Sequence, residues 1–199
     1  MPTIIILIIA AISITASAEP QAVIGFDAEL LPKVDNHLRD AAFSGADIDA
    51  EGPTAYAIGG VAEWNVLRWL AVGVAPRYVI GLVPMANNAS TTQLDLRVRI
   101  ELGWNVTRAV RLYAFAEPGY SIVNPTNADD SPLPPSAGAF ALEAGAGARL
   151  AAKPGLAITA EVGFQVMQSI ALTSEIPGDM QTFSEDFLSV SLGFTTPLF

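Results

Sequence analysis

Apolar and polar residues alternate along most of this chain, with the period of two that belongs to strands with two unlike faces. The stretch from residue 93 to 104 is the plainest case. Leu94, Leu96, Val98, Ile100, Leu102 and Trp104 share one parity, and Gln93, Asp95, Arg97, Arg99, Glu101 and Gly103 fill the other. The second face is too charged for a dry soluble core, so the apolar face is assigned to lipid. The split recurs in Ile24, Phe26, Ala28 and Leu30 against Gly25, Asp27 and Glu29, and in Phe140, Leu142, Ala144, Ala146 and Ala148 against Glu143, Gly145, Gly147 and Arg149. Leu156, Ile158, Ala160, Val162 and Phe164 stand in the same way against Thr159, Glu161 and Gly163. Eight strands are predicted, at 21–31, 54–64, 69–82, 92–104, 109–122, 137–150, 156–168 and 185–195. Each is near the ~9–11 residues that a tilted membrane strand needs.

The connectors alternate in length: long at 32–53, 83–91, 123–136 and 169–184, short at 65–68, 105–108 and 151–155. That alternation predicts an all-β, eight-stranded antiparallel transmembrane up-and-down barrel, with short periplasmic turns, longer extracellular loops and both mature termini in the periplasm. Two hairpins look alike. Trp64-Asn65-Val66-Leu67-Arg68 leads to Pro76, Tyr78 and Ile80, and Trp104-Asn105-Val106-Thr107-Arg108 leads to Pro118, Tyr120 and Ile122. The second copy is two residues longer, which keeps every side chain on its face.

Aromatic residues sort by rim. Trp64, Trp69 and Trp104 lie beside the short turns, and Tyr56, Tyr78 and Tyr120 toward the long loops. Rings with a polar edge collect where hydrocarbon meets headgroups, so these six form a candidate aromatic girdle. Eight steps separate Tyr56 from Trp64, ~26 Å along a strand at ~3.3 Å each, or ~20 Å along the normal at a tilt of ~40°.

The residues before the first strand look processed. An aliphatic run from Ile4 to Ile14 precedes Ala16-Ser17-Ala18, so residues 1–18 are read as a secretory signal and 19–199 as the barrel domain. No Lys or Arg precedes that run, which leaves a membrane anchor or a misassigned start codon as the alternatives. Composition adds exclusions: with no Cys, disulfides cannot brace an exported chain, and a net charge of -10 argues against nucleic acid.

With strands, loop alternation and girdle in hand, the chain resembles the small outer-membrane β-barrels of the OmpA and OmpX kind over essentially all of its mature length. The resemblance implies the outer membrane of a Gram-negative-type envelope, lipid as surroundings and the barrel-insertion machinery as a partner in biogenesis; the sequence leaves the oligomeric state open, with a monomer as the expectation. Those barrels tend to end in an aromatic residue on the lipid-facing parity. Here the chain ends in Phe199, out of step with Leu188, Val190, Leu192 and Phe194. Either Phe194 closes the strand and Thr195 to Phe199 trail, or a bulge near Pro197 resets the phase. Pro76 and Pro118, which donate no ladder bond, suggest a repeated bulge.

The inward parity gathers Arg77, Arg97, Arg99, Arg111 and Arg149 with Asp27, Glu29, Glu63, Asp95, Glu101, Glu117, Glu143 and Glu161. In so narrow a lumen the expectation is a mutually satisfied ion-pair network. Its rival is a narrow, cation-preferring pore or solute path among inward glycines such as Gly25, Gly59, Gly73, Gly119, Gly145, Gly147 and Gly163. A soluble lipocalin-like barrel would need the apolar parity inside. Enzyme signals are weak: the single His, His37, has Asp35, Asp40 and Ser44 near it in the first long loop, where proximity supplies no triad geometry. No catalytic residue and no cofactor is implied. Asp47, Asp49 and Glu51 begin like a calcium loop, but the twelfth position is Ile58, so an EF-hand is excluded and only a weak divalent-ion loop remains. The reading is a structural anchor and interaction scaffold acting through its outer loops, with an extracellular partner the sequence does not name.

Overall fold

A sheet with one lipid-facing side has no water for its edges, so it must close. The computed structural model describes residues 22–32, 34–40, 47–52, 54–85, 89–126, 137–168, 170–173 and 180–198, and in it the sheet is closed. In chain order its strands are β1 (Ala22–Leu31), β2 (Val34–Asp40), β3 (Asp47–Gly52), β4 (Ala55–Leu67), β5 (Leu70–Val74), β6 (Arg77–Met85), β7 (Ala89–Asn105), β8 (Val110–Thr126), β9 (Ala137–Lys153), β10 (Leu156–Met167), β11 (Ile170–Thr173) and β12 (Met180–Pro197). The ring runs β1, β4, β5 with β6, β7, β8, β9, β10, β12 and back to β1, eight antiparallel staves in sequence order. The closing pair holds one register throughout, from Leu30 opposite Val190 to Val23 opposite Pro197.

The predicted parity matches the two surfaces. Phe26, Ile58, Val98, Leu102, Val162 and Leu192 face outward and are exposed, whereas Asp95, Glu101, Gln165 and Ser189 face inward and are buried. The lipocalin-like alternative would require the reverse.

Two short strands lie inside the predicted first loop. β2 pairs with the first part of β12 (Phe187 opposite Val34), and β3 pairs with β2 (Asp35 opposite Glu51). They continue the sheet past the lipid belt. β11 does the same inside the last predicted loop, pairing with β12 from Ile170 opposite Phe183. At four to seven residues each, they are shorter than the ~9–11 residues by which a membrane strand is recognised.

Three expectations are corrected. Pro76 makes no bulge: Ala62 faces Val74 and Gly59 faces Arg77 in one unbroken register, with Gly60 N donating to Pro76 O at 3.0 Å. Pro118 keeps the register too, since Arg97 faces Gly119 and Ile100 faces Ala116 on its two sides. Each proline forfeits at most one ladder bond, a cheaper solution than shifting a strand whose two faces differ. Nor does the last strand end at Phe194 or bulge near Pro197. It runs on to Pro197, and Leu198 N donates to Ala22 O at 2.7 Å, leaving Leu198 on the outward parity. Phe199 and the expected signal, residues 1–18, lie outside the described residues.

The short turns are locally determined. Lys153-Pro154-Gly155-Leu156 places proline at the second position and Gly155 at φ 78° at the third, the arrangement of a type II turn. Between β7 and β8, the Thr107 hydroxyl accepts from Ala109 N at 3.1 Å and from Val110 N at 3.0 Å, closing the turn without glycine.

Candidate functional site

Alternation points one side chain in two into a lumen too narrow for water to solvate them, so polar groups there must satisfy one another. The charged groups pair in three layers, while Arg97 Nε, Arg149 Nε, Gln93 Oε1 and Gln165 Nε2 are buried without a hydrogen-bond partner among the described residues. Nearest the short turns, Arg149 Nη2 lies 3.0 Å from Glu63 Oε2 and 3.2 Å from Glu101 Oε2, and Arg111 Nε donates to Glu101 Oε1 at 3.0 Å. Arg111 Nη1 also donates to the Arg68 carbonyl at 3.1 Å, tying two turns together.

Arg99 centres the middle layer. It donates to Glu117 at 2.6 Å and to Glu161 at 2.5 Å, and its Nε lies 2.8 Å from Glu63 Oε1. The guanidinium lies over Phe115, 4.5 Å from the ring centroid, while Tyr113 donates its hydroxyl to Glu161 at 2.6 Å. Such stacking of a cation on aromatic faces adds to the ion pairs.

Above it, Arg77 and Arg97 share their acceptors. Arg77 donates to Asp95 at 2.7 Å, Glu29 at 2.7 Å, Glu143 at 2.9 Å and Gln165 at 2.5 Å. Arg97 donates to Asp95 at 2.6 Å, to Glu117 at 3.1 Å, and also to Glu143 and Gln165. Asp95 Oδ1 further accepts from Gln93 and from Ser121, each at 2.6 Å, and Glu143 accepts from Ser189 at 2.6 Å. About 20 Å³ of space remains among these groups, lined in part by Asp27, Glu161 and Ser191 and large enough for a water molecule.

Of the thirteen charged residues predicted for the lumen, twelve are thus joined by ion pairs. Asp27 is the exception: its Oδ1 is buried with no hydrogen-bond partner, folded against Gly59. The inward glycines clear room for neighbours' side chains. A Cβ at Gly119 would sit 2.7 Å from Arg97 Cγ, and one at Gly147 2.6 Å from Tyr113 Cζ.

A different layer escaped the sequence reading. At the long-loop end of the lumen Leu31, Ala55, Ala57, Val79 and Phe187 form a buried apolar cluster, with Ala139, Ala141 and Met167 also buried on inward positions. Phe187 bridges the two regions, its ring 5.1 Å from the Arg77 guanidinium carbon. The signal was present: the inward parity turns from charged to apolar toward the long loops. The ion network thus lies beneath a buried apolar cluster at the long-loop end.

Among the girdle residues, Trp64, Trp104, Tyr56, Tyr78 and Tyr120 are exposed on the outward parity, whereas Trp69 is exposed in the turn between β4 and β5. His37 and Asp47, Asp49 and Glu51 lie in strands β2 and β3, not in a loop, with His37 opposite Asp49 in the backbone register. Their side chains, with Asp35, Asp40 and Ser44, lie outside what the structure describes.

No protein-family model and no curated protein matches the sequence. Solved structures do match. The outer membrane protein OprG from Pseudomonas aeruginosa superposes with a TM-score of 0.63 at 13% identity, covering 91% of this chain and 96% of that one. Neisserial surface protein A gives 0.53 at 11% identity, over 88% of this chain and 96% of that one. The outer membrane protein AlkL, solved in lipid bilayers, gives 0.52 at 14% identity over 90% of each chain. What they share with this chain is the fold, that of the small outer-membrane β-barrels.

Proposed function

We propose that this protein is an integral outer-membrane anchor whose barrel is closed to solutes and whose work is done at the long-loop end. The observation that supports this best is the lumen, where layered arginine–carboxylate pairs fill the cross-section beneath the apolar cap of Phe187 and its neighbours. Eight strands enclose an interior that side chains can fill, and the layered pairs support that reading here. Beyond the lipid belt, β2, β3 and β11 extend the sheet, giving the loops a stiff base from which to meet an extracellular partner. Outer-membrane lipid surrounds the barrel, and the insertion machinery engages it during biogenesis. The chain works as a monomer.

Planar-bilayer recording tests the reading. The wild type is expected to give no steady conductance. A reproducible step would replace the anchor by a pore, and one favouring cations would fit the surplus of inward carboxylates over arginines.

A further inference from the structure

The three short turns each carry one basic residue: Arg68 between β4 and β5, Arg108 between β7 and β8, and Lys153 at the end of β9. All three are exposed, and none of their side chains forms an ion pair or hydrogen bond among the described residues. No acidic residue lies at 65–70, 105–110 or 151–156. The opposite end reverses the sign, with Asp35, Asp40, Asp47, Asp49 and Glu51 against Arg39 on β2 and β3.

The turns join alternate pairs of staves, so the cations are spread around the rim, with the meeting of β1 and β12 as the remaining quarter. Each turn is held in place, by the Thr107 hydroxyl, by Pro154-Gly155, and by the bond from Arg111 to the Arg68 carbonyl. Just inside this ring stand Trp64 and Trp104, on the strands that lead to Arg68 and Arg108 and exposed by 53% and 61%, and Trp69, exposed by 43%, follows Arg68 in its turn. Indole rings settle at the boundary of hydrocarbon and headgroup, which puts cations a few residues further out at the depth of lipid phosphates. Their long stems can lie along apolar surface while the charge stays wet.

We propose that this rim is a binding surface for anionic phospholipids, each cation taking a headgroup phosphate while the acyl chains lie on the adjoining outward face. A lipid suits the site better than a soluble anion because apolar wall and cation are contiguous, and one lipid molecule meets both. The proposal rests on the membrane reading of the barrel, and the test separates the two.

All three tryptophans of the chain lie on this rim, so intrinsic fluorescence reports on it alone. The protein is folded into phosphatidylcholine vesicles carrying a minor fraction of either brominated phosphatidylglycerol or brominated phosphatidylcholine. Quenching is expected to show a relative preference for the anionic lipid of about two- to fivefold, as single basic residues at a charged surface confer. The preference should fall to about one in the triple variant Arg68→Gln, Arg108→Gln, Lys153→Gln and persist in Arg68→Lys, Arg108→Lys, Lys153→Arg. Should the glutamine variant not fold, salt titration of the wild type decides, because contacts with exposed cations weaken as the screening length shrinks. Equal quenching by both lipids, a preference surviving the glutamine changes, or one unmoved by salt overturns the proposal. So does a rim that binds a soluble acidic polymer yet selects no lipid. Absence of quenching by either lipid would overturn the membrane reading itself.

Discussion

Replacing Arg99 by alanine removes the group on which the middle of the lumen is built. Arg99 is 4% exposed and holds Glu63, Glu117 and Glu161 together. Its loss falls unevenly. Glu63 keeps Arg149 at 3.0 Å and Glu117 keeps Arg97 at 3.1 Å, but Glu161 is left with the Tyr113 hydroxyl alone. Breaking a buried pair from one side typically costs ~3–5 kcal/mol, because the remaining charge has neither water nor counterion. Two of the three carboxylates retain a cation, so the lower half of that range is expected, with about 0.5–1 kcal/mol more from the lost stacking on Phe115. Equilibrium urea unfolding in lipid vesicles, followed by tryptophan fluorescence, measures the change. Adding Glu161→Gln to Arg99→Ala should recover part of the loss, whereas Glu161→Gln alone should destabilise. A loss below about 1 kcal/mol for Arg99→Ala, or strict additivity of the two changes, would refute a mutually satisfied network.

On the outer face, Val98→Arg near mid-membrane should cost roughly 2–4 kcal/mol and Val106→Arg at the rim about 0–1, both read by the same unfolding assay. Gly147→Val would drive a side chain into Tyr113 and break its bond to Glu161, for a loss of about 1–3 kcal/mol and a change in tyrosine environment visible by near-UV circular dichroism. Phe187→Ala hollows the apolar cap at a residue 1% exposed, so ~3–5 kcal/mol should be lost and amide exchange in neighbouring strands should quicken.

The parts of this fold that were legible are those where the two faces of a strand meet different media. Leu94 to Trp104 announces itself because lipid on one side and buried arginines on the other leave no freedom of parity, and β7 occupies that stretch. β2 was illegible for another reason: Val34-Asp35-Asn36-His37-Leu38-Arg39-Asp40 holds only two apolar residues, Val34 and Leu38, too few to mark a lipid-facing side. The prolines misled because a bulge is the usual remedy for a missing donor, whereas an even register across Pro76 preserves every lipid-facing side chain from Val74 to Tyr78. Which carboxylate met which arginine was beyond reach. Contacts such as Arg77 to Glu143 cross the lumen between staves 66 residues apart, and parity fixes a face but not an azimuth or a height. Asp27 shows the limit, sharing the parity and chemistry of its neighbours yet having no partner. The apolar cap was written in Leu31, Ala55, Val79 and Phe187, but an apolar residue on the inward parity looks unremarkable until its neighbours on other staves are known.

The closed lumen is tested most directly at Ser191, which lines the small interior space and is 6% exposed. The chain contains no cysteine, so Ser191→Cys gives a single thiol without further engineering. In lipid vesicles a charged, membrane-impermeant methanethiosulfonate reagent should modify it no faster than a thiol at the lipid-facing neighbour, Val190→Cys, and denaturation should expose both. Rapid modification of the folded Ser191→Cys protein, with Val190→Cys remaining inert, would mean that water and solutes reach the middle of the barrel and would contradict the account.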